Sequence, residues 1–473
     1  MQVKSGKFWI FSTIIVLVVF TKVLLMPFGD LDEIWVYNVS RGITEGLIPY
    51  KDIEMVFMPL YNMLFALPLL IVRNLFVYRL TSAVLLSAVS IVLMLTISKD
   101  TSLWYGFPAS LSVIVLYDTA TYNFLFLLFT LFIFNSNRKA NSNSRNITLG
   151  VLAALCALTR QTSGVIIIIA ELVYLLFEDR FKSSGDDESP SRAKTILAFI
   201  AGIAAPCLVF LVYLLVTDSF GAFWDHCFFA LFAFGQGNSG FDPSANLPLT
   251  VSFAGIICDL LLLSKNRNKD QFSHIVLAVA LLTIAVPIVD LHHTIMAEAF
   301  CIIPIARTLR FYLAKYMRKV FSIILSVVFI AQSVFVTVLA IQNGVYFSDK
   351  YNELELIPLT GVADDYYQIV VRNNEYKALG KKVIMFSSSS ALVSILSNEC
   401  NYPYDLFQTG SLGTTDPVEY AIEACNDPTN IILMPADYPA ENFENPEGIY
   451  EYVISHCIAV DHYGHFTYYM PNP

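Results

Sequence analysis

Asp30, Asp32 and Glu33 crowd into four residues just past a long apolar stretch, Phe8 to Met26. A carboxylate beside a bilayer costs free energy unless water or a partner solvates it. Three together point to a polar pocket at the membrane surface. A carboxylate placed there can take the proton of an attacking hydroxyl. Lys51, Arg160, His292 and His293 are the cations that could hold a phosphate, and the guanidinium fork of Arg160 matches phosphate oxygens best. Asp30-x-Asp32 also offers hard oxygen ligands suited to Mg²⁺ or Mn²⁺.

The elements that must position these groups are transmembrane helices. The chain has 473 residues, 56% hydrophobic and only 14% charged, with a mean hydropathy of +0.60; soluble domains run about 45–50% apolar and about 25% charged. We place eleven spans, near 8–26, 80–98, 103–117, 121–135, 147–160, 163–178, 195–217, 248–264, 273–289, 294–306 and 320–341. The first reads as an uncleaved anchor, because no small-x-small cleavage site follows it before Pro27. With the N-terminus inside, the basic loops Ser136–Asn146, Asp179–Lys194, Ser264–Gln271 and Arg307–Lys319 all fall on the cytoplasmic side, as the positive-inside rule requires. The apolar stretch Met58–Val72, broken by Pro59 and Pro68, is then not a span. Residues 27–79 form one long outer loop with interfacial helices, one of them over Asp32–Glu45.

On this topology the outer face collects Asp30, Asp32, Glu33, Tyr50, Lys51 and Asp52, then Asp118, Arg160 with Gln161, Asp225 and His226, and Asp290, His292 and His293. Glu298, near the outer end of the tenth span, reads as lining a cavity. Glu171 lies deeper and receives no role. The cytoplasmic loops read as merely basic and polar. Bland roles exist for several of these: Arg160 as an interfacial snorkelling residue, Asp118 as a helix cap, the histidines as turn residues.

The run DLDEIWVYNVSRGITEGLIPYKD followed by MPL resembles the first outer loop of GT-C fold glycosyltransferases, above all bacterial polyprenyl-phosphate-sugar transferases related to protein mannosyltransferases and the lipid A aminoarabinose transferase. The matching residues are Asp32-Glu33, Gly46, Pro49-Tyr50, Asp52 and Pro59-Leu60, with Asp118 in LYDTATYN and Arg160 in ALTRQTSG. Relatives often carry Lys before Pro-Pro-Leu, whereas here Met58 precedes a single proline. The resemblance implies an integral membrane glycosyltransferase that moves a sugar from a polyprenyl-phosphate donor to a hydroxyl on a glycan, lipid or protein acceptor at the outer face. Asp32 would be the base, Glu33 its orienter or alternate, and Arg160 the phosphate clamp, with Lys51, His292 and His293 as secondary cations. A divalent cation would sit at Asp30 and Asp32, if anywhere. A flippase for a lipid-linked glycan is the alternative; it should carry ionisable or broken-helix features at mid-membrane, whereas this chain reads as placing its acids and bases at one surface.

The expected fold is an all-α polytopic domain over 1–341, GT-C-like, with an extracytoplasmic α/β domain over 342–473. Strands are predicted at KKVIMFSS and NIILMP, helices at ALVSILSN, DPVEYAIEAC and GIYEYVISHC, and a final hairpin turning near Tyr463-Gly464, which together suggest a mainly parallel sheet. From Gln342 onward 18 acidic residues face 5 basic ones, while the rest carries 21 acidic and 24 basic residues. So acidic a tail argues against nucleic acid or an anionic lipid surface as its partner. Cys400, Cys425 and Cys457 fall in this domain, where one disulfide is possible. No P-loop or zinc spacing occurs.

Overall fold

The computed structural model describes residues 5–28, 31–116, 122–181, 190–230, 240–265, 268–286, 288–313, 315–343, 363–387, 389–397, 407, 412–436 and 448–472. Asp30, Asp118 and Cys400 lie outside them. The chain divides into two compact units.

The first unit, Met1–Leu24, Arg79–Val212 and Ser239–Leu339, is a helical bundle. Its helices are α1 (Gly6–Leu25), α4 (Leu75–Asp100), α5 (Leu103–Leu116), α6 (Tyr122–Asn137), α7 (Asn143–Thr159), α8 (Gln161–Phe177), α9 (Arg192–Val216), α11 (Asn246–Lys265), α12 (Lys269–Ile284), α13 (Leu291–Tyr312) and α14 (Lys315–Asn343). Each of the eleven expected spans overlaps one of these, but the ninth, 273–289, outruns α12, which ends at Ile284 and gives way to a short strand over Ile288–Val289. Among the described residues, six helices are long and apolar enough to cross a bilayer by themselves. The apolar runs dictate helices because, in lipid, a backbone must satisfy its own hydrogen bonds. Small residues let them close up: a Cβ at Gly150 of α7 would lie 2.0 Å from the Phe199 carbonyl oxygen of α9, and one at Gly202 of α9 would lie 2.2 Å from that of Ile147.

Two readings of this unit need correction. Ionisable groups are not confined to one surface. Glu171 of α8 is fully buried, with both oxygens within hydrogen-bond reach of Asn137 Nδ2, at 3.0 and 3.1 Å, a nitrogen that also reaches Ser273. Asp259 of α11 pairs with His274 of α12, both wholly buried. The basic loops, moreover, are organised by ion pairs: Arg138 bridges Asp100 and Asp270, and Arg307 also meets Asp100.

The second unit gathers Leu25–Tyr78, Tyr213–Asn238 and Ala340–Pro473. It holds α2 (Leu31–Thr44), α3 (Leu60–Leu69), α10 (Phe220–Trp224) running into a π-turn over Asp225–Phe229, then α15 (Ala363–Ala378), α16 (Ser390–Ser397), α17 (Pro417–Asn426) and α18 (Ile449–His456). Strands β3 (Lys382–Met385), β4 (Asn430–Pro435), β5 (Cys457–Tyr463) and β6 (Phe466–Pro471) form one sheet; β1 (Gly240–Phe241) and β2 (Ile288–Val289) pair separately in the bundle. The order is β3-β4-β6-β5. Only β3 and β4 run parallel; β6 is antiparallel to both neighbours. The sheet is therefore mixed rather than mainly parallel, because the chain ends in a hairpin whose second strand inserts beside β4. Helix α15 was not anticipated; Tyr468 of β6 donates to its Asn373 side chain at 3.1 Å.

Candidate active site

In the second unit the acidic pair opens α2: Asp32 and Glu33 occupy its first turn, where carboxylates complement the positive helix end. Glu33 is fully buried and Asp32 half-buried. The helix stops where the sequence places Gly46. At φ +90° it takes the left-handed conformation, its N–H bonds Ile43 O at 3.1 Å and that of Leu47 bonds Gly42 O at 3.1 Å, the paired bonds of a Schellman cap. The chain then folds tightly back, with Tyr50 N–H donating to Ile53 O at 2.9 Å and Asp52 Oδ2 accepting the Ile48 N–H at 2.9 Å. Tyr50 is buried at φ +71°, a conformation costing a non-glycine residue about 1 kcal/mol or more. Its hydroxyl donates to Phe57 O at 2.9 Å. Gly-x-x-Pro-Tyr is thus a cap-and-turn device that returns the chain beneath α2. Lys51 stays exposed.

The same unit contains a group that the sequence reading left without a role. Glu54, two residues past Asp52, is in direct contact with His226 of the π-turn. Burial and neighbouring Asp225 push the Glu54 carboxyl up to about 8, and burial lowers His226 against the pull of Asp225. Asp225 in turn accepts the backbone N–H of Thr414 at 2.9 Å, and its hydroxyl. Arg41, fully buried in α2, donates to Ser394 O at 3.3 Å. These bonds join three distant stretches of chain around α2.

In the first unit, α7 and α8 meet at a sharp hairpin whose apex is Arg160, extended at φ −145°, ψ 109°. Gly164 permits the turn, since a Cβ there would lie 2.1 Å from Ala157 Cα. The Arg160 guanidinium donates to Asn123 Oδ1 at 2.7 Å and lies over the Tyr122 ring; Asn123 donates to His292 O at 3.2 Å. His292 and His293 open α13, capped by Asp290, which accepts the His293 N–H and meets its Nδ1, both at 2.8 Å. Burial would raise the Asp290 carboxyl, yet those bonds outweigh it and hold it below the usual range. Arg160 is therefore tied to the start of α13, at the His292 backbone carbonyl, through Asn123, the link the sequence reading missed. Its place in the quoted LYDTATYN, five residues past Asp118, was the available signal.

Glu298, two turns into α13, is buried, and its Oε2 lacks a hydrogen-bond partner. It lines a cavity of about 360 Å³ whose walls are mostly apolar, among them Pro108, Leu247, Ile302 and Phe329, with Ser112, Ser322 and Gln332 as further polar lining. Lys22, buried near the end of α1, donates to the carbonyls of Ile114 and Val115 at 2.9 and 2.7 Å, answering the negative end of α5. A lysine inside an apolar span is legible as an anomaly in the sequence. Gln161 stands at the first position of α8, beside Arg160. Among the described residues no three His, Cys, Asp or Glu side chains gather as a metal site.

The fold is that of GT-C glycosyltransferases. The chain matches ArnT from Cupriavidus metallidurans in the apo state at a TM-score of 0.61, with 10% identity over 98% of this chain and 97% of that one; the same protein bound to undecaprenyl phosphate matches at 0.59, again with 10% identity, over 98% of each chain. The oligosaccharyltransferase of Archaeoglobus fulgidus, tethered to an acceptor peptide, matches at 0.55 with 11% identity, over 100% of this chain and 75% of that one. No family model matches the sequence, and no curated protein does.

Proposed function

We propose that this protein is an integral membrane glycosyltransferase that moves a sugar from a polyprenyl-phosphate donor to the hydroxyl of a glycan, lipid or protein acceptor. The observation that carries this reading is the near end-to-end likeness to ArnT, a protein solved bound to undecaprenyl phosphate, together with an acidic pair in the first turn of α2. Residues 1–341 would form the transmembrane catalytic domain and 342–473 an outer domain, with the N-terminus cytoplasmic.

In this scheme the sugar leaves its lipid phosphate through an oxocarbenium-like transition state, by analogy with glycoside hydrolysis. Asp32 takes the proton of the acceptor hydroxyl, and Glu33 orients it. Arg160, held from behind by Asn123, meets the charge growing on the departing phosphate, helped by His292, His293 and Lys51. Tyr50 and Asp52 hold the turn under α2, and Glu298 and Gln161 give polar lining; Asp30 and Asp118 belong to the same scheme but lie outside the described residues. An oligosaccharyltransferase neighbour was solved with Zn and sulfate. Here a divalent cation, Mg²⁺ or Mn²⁺, would be held by Asp32 with Asp30 and would neutralise phosphate charge.

The test is incubation of purified protein with a panel of polyprenyl-phosphate sugars and candidate acceptors, read by product mass spectrometry. A glycosylated acceptor with released polyprenyl phosphate supports the reading. No product from any pair, with lipid-linked glycan crossing vesicles instead, would favour a flippase.

A further inference from the structure

At the end of α13 opposite His292, about 30 Å along the helix, four helix ends of the bundle line a second cavity of about 350 Å³. Asp100 closes α4, Lys265 closes α11, Asp270 and Gln271 open α12, and Arg307 to Tyr312 finish α13.

The charges here do not cancel. Asp100 accepts from Arg307 Nε at 2.8 Å and also meets Arg138, while Asp270 lies 3.1 Å from Arg138. Two carboxylates are thus matched by two guanidiniums. Among the described residues Lys265 and Arg310, both exposed on the cavity lining, have no carboxylate partner, leaving about two positive charges unmatched. Two polar atoms are also unanswered: Thr308 Oγ1 and Gln271 Oε1 are buried without a hydrogen-bond partner. Such orphan groups in a native structure call for a ligand or water. The remaining wall is apolar and faces outward: Leu261 is 57% exposed, Phe311 74% and Tyr312 73%. Aromatic rings at a helix end mark interface depth.

We propose that this cavity binds the phosphate headgroup of an anionic phospholipid from the leaflet in which these four ends lie. Lys265 and Arg310 neutralise the phosphate, the Thr308 hydroxyl donates to it, and the acyl chains run along Leu261 and Leu262. Basic pockets between helix ends are suited to anionic headgroups, and a soluble anion would leave the apolar wall unused. The site is separate from Arg160 and the histidines and does not rest on the proposed reaction.

The experiment is native mass spectrometry of the full chain in detergent, offered equimolar phosphatidylglycerol and phosphatidylcholine. The wild type retains phosphatidylglycerol at least fivefold more. The exposed pair Lys265→Gln with Arg310→Gln brings the ratio near one, while the charge-conserving pair Lys265→Arg with Arg310→Lys keeps it. Parity in the wild type, or a preference untouched by the glutamine pair, overturns the proposal. So does loss of bound lipid on adding millimolar inorganic phosphate, which would make a free anion the ligand.

Discussion

Glu54 and His226 set the first test at the scale of single residues. The folded chain keeps the Glu54 proton up to about pH 8, whereas the ordinary carboxyl loses it near 4.5. Between those values the folded state binds more protons than the unfolded one, so stability falls as pH rises. His226, lowered in the fold, acts oppositely, but only below about 6.5, where the unfolded imidazole is charged. From pH 6.5 to 8 the wild type should therefore lose on the order of 1–2 kcal/mol relative to Glu54→Gln, measured by denaturant unfolding in detergent. Parallel pH curves for the two proteins would refute the assignment. Arg160 gives the second test. Lysine keeps the charge but loses the fork and the bond to Asn123, so Arg160→Lys should lower kcat/KM for transfer by about tenfold or more, as loss of a charged hydrogen bond implies. Unchanged kinetics would return Arg160 to a snorkelling role. At this scale the sequence was informative where residue type was unusual for its place, as with the acidic pair. It was silent on Glu54, because only the fold brings His226 to it from far along the chain.

Among elements, the crossing of α7 and α9 depends on two glycines that face backbone rather than flexible side chains. Gly150→Leu should destabilise the protein by about 1–3 kcal/mol or more through overpacking, seen as a lower melting temperature in detergent; a wild-type value would show that the helices do not meet there. In the α/β part, the Cys425 and Cys457 sulfurs lie 3.2 Å apart and are buried. Copper-phenanthroline oxidation should join them with little change in melting temperature, removing two alkylatable thiols by mass. Two thiols still alkylated would contradict the packing of α17 against β5. Apolar runs made the bundle helices readable, since their length alone separates them from loops. The sheet was readable strand by strand but not in its pairing. Each strand's local pattern is the same whether it pairs parallel or antiparallel, and only the closing hairpin decides that β6 lies beside β4. Helix α15 escaped notice because its polar, β-branched and aromatic residues lack a clear apolar stripe.

For the whole molecule, the proposed orientation rests on the parity of eleven spans, and cysteine labelling tests it. With the native cysteines replaced, Lys51→Cys should react with a membrane-impermeant maleimide from outside, and Lys139→Cys only after permeabilisation. The reverse pattern would invert the topology. Local periodicity did not reveal that Leu25–Tyr78, the stretch around the π-turn and the C-terminal region form one unit. Bonds such as Arg41 to Ser394 and Asp225 to Thr414 span most of the chain and leave no trace in nearby residues. Activation of an acceptor hydroxyl by a carboxylate in the first turn of α2 is measured by sugar transfer from a polyprenyl-phosphate donor in purified Asp32→Asn protein. Transfer should fall by about 10²–10⁴-fold, the usual contribution of a general base, with membrane expression and melting temperature unchanged. Transfer at the wild-type rate would contradict it.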